Sequence, residues 1–597
     1  MNVYEGLMNE FSIQECLSIL VNLSSYHRIQ GSSDLEEAAE YIAKKLNDNG
    51  LDTKIYSYPY SKRYGLMEAL IGWNVKSAEL YMIKPKEKLL HTFINTKTLV
   101  VAHSPGGEIE APVVYIGKGE DDKDYENKNI EGKIILSYGN PYFVYKKAIK
   151  NKASGIIFYK KEAPEDAIPY SGLFLDIEEA NEANAIALNI SKRNANIILN
   201  MLEKNEEVIL KAKVDIEYRD NPQIKIIEAS IGDNEEEIDL LAHYCHPAGT
   251  INDNASGSAG LIELAIAMKR ALDKRILEKP LRKICFYWYP EYYGTIAFLS
   301  NIKRKIIVAI NLDMIGEKQE LTDSTLMLVR APYFKTSFLE AILYYEIEKA
   351  FSKIKSFSGL SNALSIKFSV VDYESGSDHD IYLDFGIPAY MLNQWPDKFY
   401  HSSEDTIDKI DPHILKTIAI ASGVAAYKSA SIEKFPEIKK YVYHYFMSLF
   451  HKKLGECIIN KLDKIYQLRK EEFYKEFSLI INLIDKNLEG KFENFHEKDY
   501  KKEGKKYIRK FIGPLNIKWF IKNIGEEKIA WLKEIIDKEK YYSTIFFHAL
   551  PMLLNKPITL EDIINKLEAE FGIEIDKEKI ISLLNLLIEC DLIIEIS

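Results

Sequence analysis

Five residues of this 597-residue chain combine a metal-binding side chain with a setting suited to it: His243, Asp253, Glu291, Asp313 and His401. Imidazole nitrogens and carboxylate oxygens together suit Zn²⁺. His243 follows the apolar run Ile238-Asp-Leu-Leu-Ala, and ten residues later Asp253 sits in Asn252-Asp-Asn-Ala-Ser-Gly257, at the start of a helix. Glu291 follows Ile284-Cys-Phe-Tyr-Trp-Tyr-Pro, Asp313 follows Ile306-Ile-Val-Ala-Ile-Asn-Leu, and His401 lies in Phe399-Tyr-His-Ser-Ser-Glu-Asp-Thr406, after Pro388-Ala-Tyr-Met-Leu. In open α/β sheets, ligands bind at the carboxyl ends of strands. Each residue alone has an ordinary reading: Asp253 as a helix cap, Asp313 as an Asx turn, His401 as a surface histidine. Their joint recurrence at strand ends argues for a site. His246, three residues after His243 and beside Pro247, is the alternative to His243.

Two zinc ions sharing a water would lower its pKa from about 15.7 towards about 7, giving a hydroxide able to attack a peptide carbonyl. A base must then carry the proton to the leaving amine, a contribution of roughly 10²–10⁴-fold. Glu291, or a group that the sequence does not identify, does that work.

Positioning these groups requires buried strands alternating with helices, which is the α/β pattern from about 236 onward. Residues 1–65 open with helices, and Ser33 followed by Glu36 predicts a capping box. Residues 66–214 change character, with short β-rich runs such as Thr98-Leu-Val-Val-Ala, Val113-Val-Tyr-Ile and Lys133-Ile-Ile-Leu-Ser between Gly, Pro and Asn. The reading is one α/β domain from 1–65 and 215–430, a mixed sheet sandwiched by helices, interrupted by an inserted lid at 66–214. A helical region at 431–535 and a unit at 536–597 follow. In the last unit a helix opening at Thr559-Leu-Glu-Asp, a turn near Gly572, a helix over Lys577–Leu587 and a closing strand suggest a winged-helix-like module. There is no internal repeat.

The order His243, Asp253-Asn-Ala-Ser-Gly, Glu291, Asn311-Leu-Asp-Met, His401-Ser-x-x-Asp-Thr resembles the zinc aminopeptidases of metallopeptidase clan MH, whose relatives include glutamate carboxypeptidase, the transferrin receptor ectodomain and glutaminyl cyclase. Arg28-Ile-Gln-Gly31-Ser32, Gly376-Ser-Asp-His379 and Gly386-Ile-Pro-Ala389 extend the likeness. Glu131-Gly-Lys-Ile-Ile-Leu and Ala153-Ser-Gly-Ile-Ile-Phe are similar to the protease-associated domain. The resemblance implies that Asp253 bridges two zinc ions, that His243 and Asp313 bind one of them, and that His401 and a glutamate bind the other. It implies release of N-terminal residues from peptides. Two departures stand out. The family's Glu-Glu pair is here Glu291-Tyr292, so one residue faces the work of base and ligand and the site holds one zinc or two; and the family's aspartate two positions after the first histidine is here Cys245. Cys245-His246-Pro with Pro290-Glu291 also resembles a less characterised aminopeptidase-like branch. Cyclase-type acyl transfer and a non-catalytic binding role are the alternative readings. Tyr292, Tyr293 and Trp395 are candidates for the substrate pocket.

Composition bounds the partners. The net charge of −11 gives no basic field for nucleic acid. From Lys556 onward four basic residues face ten acidic ones, and the run Lys498–Lys510 reads as a solvated helix face. Hydrophobic residues at 47% without a long uncharged stretch indicate no membrane span. Five scattered cysteines and an N-terminus without signal-peptide character point to the cytoplasm. Self-association through the C-terminal helices is the expected assembly.

Overall fold

The computed structural model describes residues 2–352, 366–484, 504–538 and 541–596, together with 354, 355, 358, 360, 362 and 363. Its centre is an eight-stranded mixed sheet. In spatial order the strands are Thr53–Pro59, Gln223–Ile231, Lys283–Tyr289, Glu236–His243, Lys305–Leu312, Ala389–Trp395, Thr325–Val329 and Phe368–Val371. The four strands from Lys283–Tyr289 to Ala389–Trp395 run parallel, so their carboxyl ends lie along one edge.

Parallel strands buried on both faces need near-continuous apolar runs. Lys283–Tyr289 illustrates why. The indole of Trp288 donates to the carbonyl of Ser258 in the helix Gly257–Asp273, while Tyr287 and Tyr289 pack on Phe298 in the helix Tyr293–Asn301. Successive side chains therefore enter opposite helical layers. Fully burying a side chain such as Leu240 or Phe286 contributes about 1.5–3 kcal/mol, and this packing fixes the strand ends on which the loops are built.

The inserted region forms a seven-stranded sheet from Gly72 to Arg219, antiparallel on one side and parallel through Ile134–Ser137, Gly155–Phe158 and Ile186–Asn189 on the other. Two local expectations are corrected. Thr98–Ala102 is not a strand: Val100 and Ala102 make only isolated bridges, to Leu188 and Gly172. Its apolar residues are buried, but burial alone does not create a ladder. The cap of the helix Ser33–Asn47 is Ser32, whose hydroxyl accepts from the Leu35 N–H; Glu36 instead accepts from Arg219 at 2.9 Å.

Helices Glu437–Ile459 and Asp463–Ile484 follow the central domain. A three-stranded antiparallel sheet of Ile558–Thr559, Lys506–Arg509 and Ile593–Ile596 then packs with helices Leu560–Phe571 and Lys577–Glu589. The core beneath it includes Leu515, Phe520 and Leu532, so the expected boundary at 536 falls inside this unit. The run Lys498–Lys510, expected as a solvated helix face, lies partly outside the described residues, and its described part forms the strand Lys506–Arg509 instead of a helix. Arg509 ties the unit to the central domain through the Asp384 carboxylate at 2.6 Å. Among the described residues, no helix is long and apolar enough to cross a membrane.

Candidate metal centre

The carboxyl ends of the parallel strands converge on Asp253. Its Oδ1 lies 3.5 Å from His243 Nε2, which is itself 3.3 Å from Asp313 Oδ1. Its other oxygen, Oδ2, lies 2.9 Å from His401 Nε2 and 3.4 Å from His246 Nε2, and the two histidine nitrogens are 3.2 Å apart. Asp253 therefore faces two separate groups of ligand-type atoms, one with each oxygen. His243 and His246, alternatives in the sequence, both reach it, on different sides.

These spacings can be tested against a metal. Zn–N and Zn–O distances of roughly 2.0–2.2 Å place the ligand atoms of a tetrahedral zinc about 3.3–3.6 Å apart. Three of the five distances fall in that range, and those from His401 Nε2, 2.9 and 3.2 Å, fall just below it. Asp313 Oδ1 is buried without a hydrogen-bond partner, and no lysine or arginine forms an ion pair with Asp253, Asp313 or Glu291 among the described residues. The donor set fits a divalent cation at each group.

The sequence explains how each ligand atom is held. Asn254 donates to the carbonyl of Leu312 and accepts from the N–H groups of Gly257 and Met314, clamping the Asp253 loop to the Asp313 loop. The peptide between Asp253 and Asn254 is cis. Asp405 accepts from the N–H groups of Ile251, Asn252 and Asp253 at 2.9–3.1 Å, and burial pushes its carboxyl up to about 8. Buried Arg28 donates to the carbonyl of Tyr244, and its own carbonyl accepts from the N–H of His246. Gln30 Nε2 donates to the carbonyl of Glu291 at 2.9 Å. The Arg28–Ser32 segment is thus the floor of the site.

Four non-glycine residues of these loops have positive φ: His246 (110°), Tyr292 (57°), Met314 (61°) and His401 (50°). Such conformations cost of order 1–3 kcal/mol each and persist where surrounding structure imposes them, commonly at functional sites.

Electrostatics separates the two histidines of the first loop. Burial acts to lower the His243 pKa, yet the Glu291 and Asp313 carboxylates hold it well above its ordinary value. Burial pushes His246 down to about 3, keeping its ring neutral and a nitrogen lone pair available. Burial would raise Asp253, but His246, His401 and His243 hold it below the usual carboxylate range. Burial pushes Glu291 well above that range against the opposing pull of His243, with Asp313, Asp378 and Asp253 adding to the rise. Cys245, standing where an aspartate was expected, places its sulfur 3.6 Å from the Nδ1 atoms of both His243 and His246.

The inserted domain closes over His401. The Tyr170 N–H donates to the His401 carbonyl at 2.6 Å, Ile168 and Ser403 exchange hydrogen bonds, and the Tyr170 ring stands edge-on to His246 and His401. Tyr400 stacks on the His401 ring at 3.8 Å. A cavity of about 210 Å³ beside His401 is lined by Trp395, Tyr400, Asp397, Lys160 and Glu162. Of the expected pocket residues, Trp395 borders this cavity. Tyr292 donates from its N–H to Asp378 and from its hydroxyl to Asp380, and Tyr293 is buried against Tyr60. Asp405, Asn254 and Arg28 carried a signal as members of motifs; Tyr170, in a loop of the insert, carried none.

The sequence profile of peptidase family M28 matches residues 226–425. No curated protein matches the chain. Among solved structures, a zinc aminopeptidase of Bacillus subtilis is 18% identical, with 72% of this chain and 97% of that one covered at a TM-score of 0.51. A peptidase M28 precursor of Shewanella amazonensis is 17% identical over 72% of this chain and 96% of that one, also at 0.51. A putative peptidase of Clostridium acetobutylicum is 16% identical, covering 72% and 82% at 0.50. At these identities the structural likenesses establish the shared mixed α/β fold. The segment that resembles peptidase family M28, residues 226–425, contains every candidate ligand described above.

Proposed function

We propose that this protein is a zinc-dependent aminopeptidase. The observation that carries the reading is the division of Asp253, with one oxygen in each of two groups of nitrogen and oxygen atoms at zinc-ligand spacing. His243, Asp253 and Asp313 would hold one ion, and Asp253 with His401 contributes to a second. Bound zinc supplies Lewis acidity towards the peptide carbonyl and makes water a nucleophile near neutral pH.

The chain's own residues do the rest. The loop at Ile168–Tyr170 packs on the His401 edge of the site. We read the insert as a protease-associated-like lid on this basis. The cavity beside His401, about 210 Å³, has room for roughly one side chain, and we assign it to the substrate's terminal residue. Trp395 and Tyr400 offer apolar walls, and Glu162 offers an acceptor for a free α-ammonium group. The C-terminal unit, winged-helix-like in element order, contacts the central domain at Asp384 and the inserted domain at Leu173, Phe174 and Asp176. We assign it to docking or self-association.

The test is hydrolysis of aminoacyl-anilides and short peptides, beside their N-acetylated forms, by protein stripped of metal and then reloaded with zinc. Hydrolysis of free-amine substrates by the reloaded protein alone is the expected result. Equal hydrolysis of acetylated substrates would contradict the aminopeptidase assignment. Zinc-loaded protein without hydrolysis would favour the binding-protein reading, or cyclase chemistry if N-terminal glutaminyl peptides lose ammonia.

A further inference from the structure

A catalytic zinc position takes three protein ligands and leaves one position open for water and substrate. The group His243, Asp253 and Asp313 supplies three ligand atoms on the Oδ1 side. On the Oδ2 side, His246, Asp253 and His401 also supply three, at 2.9, 3.2 and 3.4 Å from one another. Both sets are complete without Glu291. Its carboxylate clusters instead with His243, Cys245 and His246, beside the two groups.

We infer that His246 is the third protein ligand of the second metal position, and that Glu291 is thereby left free to carry the proton of the reaction. The inference rests on the zinc-peptidase reading above and assigns roles within it.

The local structure is built for this division. The ring of His246 turns its Nδ1 towards Cys245 and its Nε2 towards Asp253 and His401. That direction depends on a backbone φ of 110°, stabilised by the hydrogen bond from the His246 N–H to the Arg28 carbonyl. An unconstrained histidine next to Pro247 has no reason to adopt it. Glu291 is held through its main chain, with its N–H on Cys245 Sγ at 3.4 Å and its carbonyl bonded by Gln30. Its carboxylate is positioned by that backbone without entering either set of three.

The step then balances. The oxygen of a water molecule forms a bond to the substrate carbonyl carbon, and one water proton passes to the Glu291 carboxylate. The C–N bond breaks, its electron pair goes to nitrogen, and Glu291 returns the proton to that amine. A single glutamate suffices because a histidine has taken the ligand position.

The experiment counts metal in the full-length chain by elemental analysis and follows Co²⁺ titration of the metal-free protein by visible absorption. The expected result is two ions in the parent protein and two in Glu291→Gln, with kcat lowered about 10²–10⁴-fold. In His246→Gln the expected count is one ion, with the second Co²⁺ absorption step lost. Loss of an ion from Glu291→Gln, or two ions of parental affinity in His246→Gln, would overturn the inference. Should His246→Gln fail to fold, the count in Glu291→Gln decides alone. Absence of bound metal from the parent protein would instead refute the zinc-peptidase reading itself.

Discussion

The strands Glu236–His243 and Lys283–Tyr289 carry a cluster of metal-binding side-chain types at each end, and the two clusters are chemically opposite. At the amino ends, Glu237, Asp239 and Cys285 lie close enough to form a ligand set. There, however, Arg304 pairs with Glu237 at 3.0 Å and with Glu228 at 2.7 Å, and Lys283 reaches Glu237 at 2.6 Å. Asp239 is pushed well above the carboxylate range by burial and by Glu237, and it accepts from the Tyr382 hydroxyl at 3.0 Å. The charges at this end are met by the protein. Each end holds one orphaned buried carboxylate oxygen, on Asp239 and on Asp313, but at the carboxyl ends Asp253 and Asp313 face histidine nitrogens, with no lysine or arginine partner among the described residues. Proximity of ligand types does not distinguish the clusters. The source of the balancing cation does.

Substitutions should separate the two ends. Asp253→Ala is expected to have the largest effect: peptide hydrolysis falls to background, and added zinc no longer raises the thermal midpoint. The parent protein should gain about 2.7 kcal/mol of stability at a zinc concentration of roughly 100 Kd, measured by unfolding with and without zinc. At the opposite end, Arg304→Met leaves buried Glu228 without its cationic partner and Glu237 with Lys283 alone, and should lower stability in denaturant unfolding. Zinc affinity should be unchanged in that variant, and a lost ion would break the distinction drawn here. The smallest effect is expected for Cys245→Ala. Removing the sulfur between the two Nδ1 atoms should weaken zinc binding about 10-fold, within the range for groups that orient metal ligands, while the unfolding of the metal-free protein stays close to parental.

Much of the central domain could be read from the sequence because its signals are local. Apolar runs such as Ile306–Leu312 mark buried strands, and the residues that end them fall on the loops where ligands gather. That His243 and His246 both reach Asp253 was not readable. It depends on the φ of His246 and on the hydrogen bond to Arg28, more than two hundred residues away in the chain. Thr98–Ala102 misled because buried loops and strands share composition. The cap at Ser32 was missed by one residue because Glu36, the expected partner of Ser33, is drawn to Arg219 across the domain. Tyr170 illustrates a further limit: its place over His401 follows from packing between the inserted and central domains.

Calorimetric titration of zinc into the metal-free full-length chain, run beside Asp253→Ala, tests whether Asp253 holds both ions. Two ions per chain in the parent protein and none held in the variant are predicted, since one carboxylate serves both groups. A parent protein that binds no zinc, or a variant that keeps its ions, would contradict the account.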